Sequence, residues 1–444
     1  MQGNIREFLR KNTLSVQVLR GGGGGLIAKI LSVVSQFVLA VVLARALGAD
    51  NFGVYSYAFA VAVGLRIVCQ FGLPNLLVRE TATADSEGDW ARMKGLWIWS
   101  LQTGAGLSVC AWLLGGLTIF FLQSQISDVA FRTYLWALVL VPIMALGTVT
   151  GGALRGLRYI LPGQLPEFVL RPAICAVLVA AVVFGFGVTQ PSAADAMVLH
   201  VIAGTISLVI GGGFLGYFRP RAVSASLAAV YERRVWARSA VPMAVATGLQ
   251  FCNMQADLLV LGLFHPSADV GHYRAAMQLA LVATLGLTVV NVALSPYFAR
   301  LHSQGDRARL QRLVTASAIA ATASAAPVAL LLSLSGAAVL DVVFGAPYAA
   351  GAVVATVLAG AHSVNAFFGS VGVLLHMTGY EKDAMKGIAV AAGLNIALNF
   401  ILVPSYAGEG AASATLCSMI AWNMILWYAV RRRLGVRTTA LGVV

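Results

Sequence analysis

Residues 52–73 read FGVYSYAFAVAVGLRIVCQFGL, an apolar run whose one charged side chain is Arg66. A helix needs about 20 such residues to cross the roughly 30 Å of hydrocarbon in a bilayer. A cation near the middle of a span costs about 2.5 to 3.5 kcal/mol on insertion scales, so it is expected to face protein, water or an anion. This stretch therefore predicts a membrane-spanning helix that carries a functional arginine.

The same pattern recurs along the whole chain of 444 residues. A content of 59% hydrophobic and 11% charged residues, with a mean hydropathy of +0.84, excludes a soluble globule. We predict about twelve spans, at 26–47, 52–74, 95–121, 132–154, 162–185, 196–217, 240–263, 271–298, 313–335, 349–375, 386–404 and 410–430. The connections are too short for an extramembrane catalytic or nucleotide-binding domain.

The distribution of Lys and Arg among the connections predicts the orientation, because basic loops stay in the cytoplasm. With the N-terminus inside, almost all basic residues fall on one side, and only Arg132 and Arg274 fall on the other. We therefore expect both termini in the cytoplasm. The net charge of +13 is explained by this bias and by anionic headgroups, so it does not indicate a nucleic-acid partner.

A short motif recurs in the two halves of the chain. Gly53-Val-Tyr55-Ser-Tyr-Ala opens the second span and Gly271-His-Tyr273-Arg-Ala-Ala opens the eighth. Two six-span lobes would have the same orientation and would be related by an axis along the membrane normal, around a central cavity. The expected domains are an amphipathic segment with a glycine linker (1–25), an N-lobe (26–217), a basic cytoplasmic linker (218–238), a C-lobe (239–432) and a cytoplasmic tail (433–444).

Polar side chains at helical spacing predict which faces line that cavity. The candidate substrate-binding residues are Arg66, Lys29, Arg274, Gln36, Gln70, Gln250 and Asn253. Each cation has a second interpretation: Arg66 as a buried structural cation, Lys29 as a side chain that reaches the headgroups, and Arg274 as an interfacial residue. An interior biased toward positive charge suits an anionic cargo.

Four further ionisable residues within the spans have open roles. Asp257 either carries a coupling proton or sodium ion or neutralises a neighbouring arginine, and His362 is either a second coupling residue or a packing residue. Glu167 and Arg171, four residues apart on one helix, predict a structural ion pair, with a ligand contact by Arg171 as the alternative. The cysteines show no CxxC spacing, so no metal and no cofactor beyond a coupling ion is expected.

Several stretches occur in an order that resembles a known family. They are VLARALGADNFGVY at 42–55, DLLVLGLF at 257–264, GYEK at 379–382 and NIALNFILVP at 395–404. The chain resembles the bacterial polysaccharide-repeat flippases, which act in O-antigen and exopolysaccharide synthesis and belong to the multidrug/oligosaccharidyl-lipid/polysaccharide exporter superfamily. The resemblance implies alternating access and export of undecaprenyl-diphosphate-linked oligosaccharide across the bacterial inner membrane. It also implies contact with membrane lipids and with polysaccharide polymerase and export machinery.

Three alternatives are weighed against this interpretation. A multidrug exporter of the same superfamily handles lipophilic cations and would be expected to have a cavity dominated by acids. An exporter of another lipid-linked precursor would share most of the predicted features. A membrane glycosyltransferase, ligase or polymerase normally needs a large external loop or a carboxylate cluster for acid–base and metal chemistry. The sequence contains neither, so we expect a transporter and not an enzyme.

Overall fold

The computed structural model describes residues 14–185, 187, 190–225 and 228–442, with side chains from Gly25 onward. Within these ranges the chain is helical and contains no strand, which confirms the predicted all-α class. The helices are α1 Leu14–Gln70, α2 Leu73–Glu87, α3 Trp90–Leu122, α4 Asp128–Gly156, α5 Ile160–Leu165, α6 Arg171–Ala180, α7 Ala193–Phe218, α8 Arg221–Ala225, α9 Arg233–Phe264, α10 Ser267–Ala280, α11 Leu285–Ser303, α12 Arg307–Phe344, α13 Ala352–Phe368, α14 Val371–Met377 and α15 Glu381–Leu434.

Nine helical segments in the described ranges are long and apolar enough to cross a membrane. Two of them have the length of two crossings: residues 25–70 deviate from helical geometry at Gly48, and α15 deviates at Ala407. Helix α9 covers the predicted span 240–263 although it is not among the nine. The chain is thus a multi-pass membrane protein, and its helices are compatible with the predicted twelve spans.

The glycine run Gly21–Gly25 differs from the sequence expectation of a flexible joint. These residues lie inside α1, which continues from Leu14 into the first span without a break. Glycine in a helix costs about 1 kcal/mol relative to alanine, but an unpaired backbone group beside the hydrocarbon costs several. The helical hydrogen bonds outweigh the propensity of glycine. Most of the predicted amphipathic segment lies outside the described residues.

The surface of the spans is apolar, as expected for contact with lipid. Large side chains such as Phe184 and Leu334 are 86% and 76% exposed. The main buried cluster instead lies between the N-half (14–225) and the C-half (228–442), and it contains Phe52 and Tyr348, whose rings meet edge to face. The two halves therefore share a core around the centre of the molecule.

The repeated motif brings the two halves into backbone contact. A Cβ atom on Gly53 would lie 1.7 Å from the carbonyl oxygen of Ser267, and one on Gly271 would lie 2.3 Å from that of Ala49. Only glycine permits such an approach of α1 and α10. Nearby, Tyr348 Oη donates a hydrogen bond of 2.9 Å to the carbonyl oxygen of Ala44. These contacts join the halves at the end of the molecule where the first two spans connect.

The predicted cytoplasmic tail packs onto the C-half over its described part. Gly435 ends α15 in a left-handed conformation, and the chain then turns back against α12 and α13. Thr438 is fully buried, and Gln311 makes hydrogen bonds of 2.6 and 2.7 Å to the backbone carbonyl and amide of Arg437. The amide of Ala440 donates to the carbonyl of Phe367. The tail thus covers one end of the C-half.

Candidate functional site

A small cavity of about 60 Å³ lies where α1, α6, α7 and α10 meet, between the N-half and the C-half. Its polar lining consists of Gln36, Tyr55, Ser56, Arg171, His200 and Arg274. The remaining lining residues are apolar, and none of the lining residues is acidic. Guanidinium groups from opposite halves therefore face one space, an arrangement that favours an anion with several oxygens.

Arg171, His200 and Tyr55 form a hydrogen-bonded chain along one wall of the cavity. Arg171 Nη1 lies 2.5 Å from His200 Nε2, and Tyr55 Oη lies 2.5 Å from His200 Nδ1. The ring of Phe59 stacks on His200 with a centroid distance of 5.0 Å, and its centroid lies 5.6 Å from Arg171 Cζ. Because both ring nitrogens and one ring face are held, the imidazole of His200 has a fixed orientation.

Glu167 lies behind this wall, in a π-helical segment (Pro166–Leu170) that leads directly into α6. Arg171 Nε lies 3.2 Å from Glu167 Oε1, so the geometry of the predicted ion pair is present. Gly147 leaves room for the carboxylate, since a Cβ there would lie 3.0 Å from Glu167 Oε2. The carboxylate also interacts electrostatically with Arg66. π-Helical turns often occur at functional sites because they redirect side chains.

Arg66 does not line the cavity. It follows Tyr55 on the same face of α1 by three helical turns, about 16 Å along the axis. Its Nη1 donates to Gln70 Oε1 at 3.4 Å, and Thr148 Oγ1 donates to the same oxygen at 3.1 Å. No carboxylate among the described residues lies within 4 Å of Arg66, because its charged neighbour Glu167 pairs with Arg171. Arg66 and Gln70 thus form a second polar cluster in the N-half.

The other predicted substrate-binding residues are spread over different environments. Gln36 lines the cavity, donates to Ser32 Oγ at 2.8 Å and accepts a bond from Gln278 at its backbone oxygen. Lys29 and Gln250 are exposed and lie outside the lining. Asn253 also lies outside it and binds the carbonyl of Ile388. The structure therefore brings Gln36 and Arg274 together but not the complete predicted set.

Asp257 is the centre of a separate polar cluster within the C-half. Its carboxylate accepts hydrogen bonds from Tyr273 Oη at 2.9 Å, Asn395 Nδ2 at 3.0 Å, Asn399 Nδ2 at 2.7 Å and Thr415 Oγ1. It makes no ion pair within the part of the chain that the structure describes, so it does not neutralise an arginine directly. His362, the other coupling candidate, is half-buried on α13. No group of three or more His, Cys, Asp or Glu side chains suited to a metal occurs in the described ranges.

His200 is the residue that the sequence analysis missed. The helical spacing placed Tyr55 on one polar face with Arg66 and Gln70, and the repeated motif includes it, but it was not among the candidate binding residues. A histidine within the apolar run 196–217 was the available signal, because a buried polar side chain in a span needs partners. The identity of those partners depends on the packing of α7 against α1 and α6. That packing is not encoded in the spacing along any one helix.

Comparison with known proteins identifies the family. Residues 18–302, more than half of the chain, match a family model described as polysaccharide biosynthesis protein. The chain belongs to this family. This confirms the resemblance recognised from the sequence.

Two curated relatives match part of the chain. One is a probable low-salt glycan biosynthesis flippase of Haloferax volcanii, 23% identical over 170 residues, or 38% of this chain. The other is the stage V sporulation protein B of Bacillus subtilis, 28% identical over 194 residues, or 42% of this chain. The matched regions span 36% of the length of each relative.

Solved structures show the same fold at low sequence identity. An inward-facing multidrug resistance transporter of the MATE family aligns with a TM-score of 0.74 at 14% identity, over 91% of this chain and 94% of its own. The lipid II flippase MurJ in an inward closed conformation aligns with a TM-score of 0.70 at 13% identity, over 91% and 87%. A transporter of the same superfamily from Pyrococcus furiosus gives 0.65 at 12%, over 94% and 95%. The chain therefore shares the fold of these solved structures.

Proposed function

We propose that this protein is a flippase that moves undecaprenyl-diphosphate-linked oligosaccharide repeat units across the bacterial inner membrane by alternating access. The cargo has an anionic diphosphate, a polar sugar chain and a long apolar tail. Such a cargo needs cations and hydrogen-bond donors in a central space, whereas the tail stays in lipid. Membrane lipids are therefore direct partners, and a polysaccharide polymerase is the expected acceptor of the product.

This proposal rests on the charge of the central cavity. The lining of the cavity contains Arg171 and Arg274 and no acidic side chain. The one carboxylate behind that wall, Glu167, is already paired with Arg171. A cavity for lipophilic cations would need the opposite charge. The MATE-like fold is common to drug exporters and flippases, so the fold does not decide between them and the charge of the cavity favours the anion.

The second polar cluster, Arg66 and Gln70, provides a further binding point for the headgroup outside the cavity. With the N-terminus in the cytoplasm, as the loop charges favour, Arg66 lies on the cytoplasmic side of Arg171 and Arg274. A headgroup that enters from the cytoplasm would then meet Arg66 first and the cavity about 16 Å farther on. This order fits export rather than import.

The Asp257 cluster is our candidate for coupling to an ion gradient. Its carboxylate is surrounded by neutral hydrogen-bond partners, and the oxygens of Asn395, Asn399, Thr415 and Tyr273 are also potential ligands of a hard cation. A bound proton or sodium ion would neutralise the buried charge. His362 remains the alternative coupling residue.

Binding by purified protein in lipid nanodiscs tests the proposed cargo. The probes are undecaprenyl diphosphate, undecaprenol and the lipophilic cation ethidium. We expect undecaprenyl diphosphate to bind most tightly, and Arg274→Gln to weaken it about ten- to a hundredfold, because a charge-assisted hydrogen bond contributes about 1.5 to 3 kcal/mol. Arg274 is suitable because its removal leaves no carboxylate unpaired.

Arg132→Gln is the matched control, since it removes the same charge from an exposed position on α4 outside the cavity. Its affinity should equal that of the wild type. Tight binding of ethidium together with no preference for the diphosphate would instead support a drug exporter and reject the proposal.

A further inference from the structure

The contacts of His200 fix which of its ring nitrogens carries the proton. A guanidinium group has only donors, and Arg171 Nη1 lies 2.5 Å from His200 Nε2. Nε2 must therefore be the acceptor. An imidazolium, or the tautomer with the proton on Nε2, would place two N–H groups head to head. The imidazole is thus neutral with its proton on Nδ1.

This assignment determines the role of the Tyr55 hydroxyl. Nδ1–H of His200 donates to Tyr55 Oη across 2.5 Å, so the oxygen of Tyr55 is the acceptor in that bond. The hydroxyl proton of Tyr55 is then not used by His200. Within the described residues Tyr55 makes no other hydrogen bond, although its side chain is only 4% exposed and lines the cavity. An unused donor in a buried position points to a ligand acceptor.

The unused donor lies among the cavity cations. Arg274, from the opposite half, and Arg171, from the same half, line the same cavity as Tyr55. A hydroxyl donor in a cavity that is also lined by two arginines favours a ligand with anionic oxygens.

We propose that the Arg171–His200 pair is a positioning device that keeps Tyr55 as an obligatory donor to a phosphate oxygen of the cargo. Arg171 sets the tautomer of His200, His200 holds the oxygen of Tyr55, and Tyr55 presents its proton to the diphosphate. The inference rests on the proposed function and adds to it the group that recognises phosphate oxygens and the residues that orient this group. His200 is a positioning residue and not a proton carrier, because protonation would force it away from Arg171.

The tautomer is tested without any cargo. Protein labelled with ¹⁵N-histidine is reconstituted in lipid and studied by solid-state NMR, and His200→Gln identifies the signal of His200 among the six histidines. We expect a neutral ring with the proton on Nδ1 and no titration between about pH 5.5 and 8.5. A signal of the Nε2–H tautomer, or protonation within this range, would overturn the inference.

The role of the donor is tested by binding of undecaprenyl diphosphate in nanodiscs. Tyr55→Phe removes only the hydroxyl and should weaken binding about ten- to a hundredfold, while binding of uncharged undecaprenol is unchanged. Tyr57→Phe is the matched control, because this half-buried tyrosine on the same helix packs against Tyr134 and does not line the cavity.

Two variants of His200 separate positioning from general packing. His200→Gln keeps one acceptor for Arg171 and one donor for Tyr55, so it should retain most of the affinity. His200→Leu keeps the bulk but neither hydrogen bond, and it should lose affinity as Tyr55→Phe does. If the two variants bind the diphosphate with equal affinity and have equal thermal stability, the proposed positioning role of His200 is refuted.

The two levels of the proposal fail in different ways. If wild-type protein does not bind undecaprenyl diphosphate, the proposed function is rejected, whatever the tautomer is. If the wild type binds it and Tyr55→Phe binds equally well, the proposed function stands and the inference about Tyr55 is rejected.

Discussion

Gly53→Ala should loosen the contact between the halves at the connection of the first two spans. The new Cβ would lie 1.7 Å from the carbonyl oxygen of Ser267. A carbon and a carbonyl oxygen in contact need about 3.3 Å, so α1 and α10 must separate by about 1.6 Å. Both partners are helix backbone, and no flexible side chain can absorb the clash.

Such overpacking costs about 1 to 3 kcal/mol, and this cost falls on the conformation in which the halves touch. A shift of this size changes the ratio of contacting to separated molecules roughly five- to 150-fold. If transport proceeds by alternating access, the variant should therefore open more often on this side of the membrane.

Labelling of a cysteine at Gln36, which lines the cavity, measures that opening. A membrane-impermeant maleimide added from the side at which the first two spans connect, which is the outer side in the predicted orientation, should label Gln36→Cys faster in the Gly53→Ala background. The same protein without the Gln36 substitution corrects for the native cysteines. Gly106→Ala is the control, because a Cβ there meets nothing within 4 Å. Equal labelling rates with Gly53→Ala and Gly106→Ala would refute the argument that this backbone contact closes the cavity on the side at which the first two spans connect.

Two further predictions concern the C-half. Asp257→Asn places a donor among the hydrogen-bond donors that now face the carboxylate, so the free energy of unfolding should fall by about 1 to 3 kcal/mol. Sodium should raise the melting temperature of the wild type but not that of Asp257→Asn. The control Asp341→Asn, at an exposed position, should respond to sodium as the wild type does. A sodium effect that persists in Asp257→Asn would exclude this cluster as the ion site. Gln311→Leu removes both hydrogen bonds to the backbone of Arg437. The free energy needed to detach the tail should fall by about 1 to 2 kcal/mol. Trypsin should then cleave after Arg437 about five- to thirtyfold faster than in the wild type. An unchanged cleavage rate would mean that Gln311 does not retain the tail.

The spans were predictable because hydropathy reports directly on contact with lipid. The run 52–73 and its repeated motif at Gly271 gave the class, the approximate span positions and the family. The kink at Gly48 within α1 was not predicted as such, yet the predicted end of the first span, residue 47, lies next to it. Length and apolarity determine where a helix must cross, and these properties are local.

The membership of the cavity was less predictable, because it depends on contacts between helices. The spacing on α1 placed Tyr55 and Arg66 on one face, but three turns separate them and only Tyr55 reaches the cavity. Arg171 was interpreted as the partner of Glu167, and it has that partner. Its second contact, with His200, comes from α7, and periodicity within one helix carries no information about it.

The tail and the glycine run show a different limit of prediction from sequence. A polar segment after the last span is usually treated as solvated, but Val436 and Thr438 are buried on the C-half. The run Gly21–Gly25 has the composition of a linker, but it lies within α1. In both cases the environment of the backbone outweighs the preference of the residues.

The contact between Gly53 and Gly271 has a consequence for the symmetry of the molecule. Equivalent positions of a duplicated motif that touch each other make a self-complementary surface, as in the isologous interface of a two-fold symmetric dimer. The backbone of each motif is therefore complementary to the backbone of the other. Each half carries the patch by which it recognises the other.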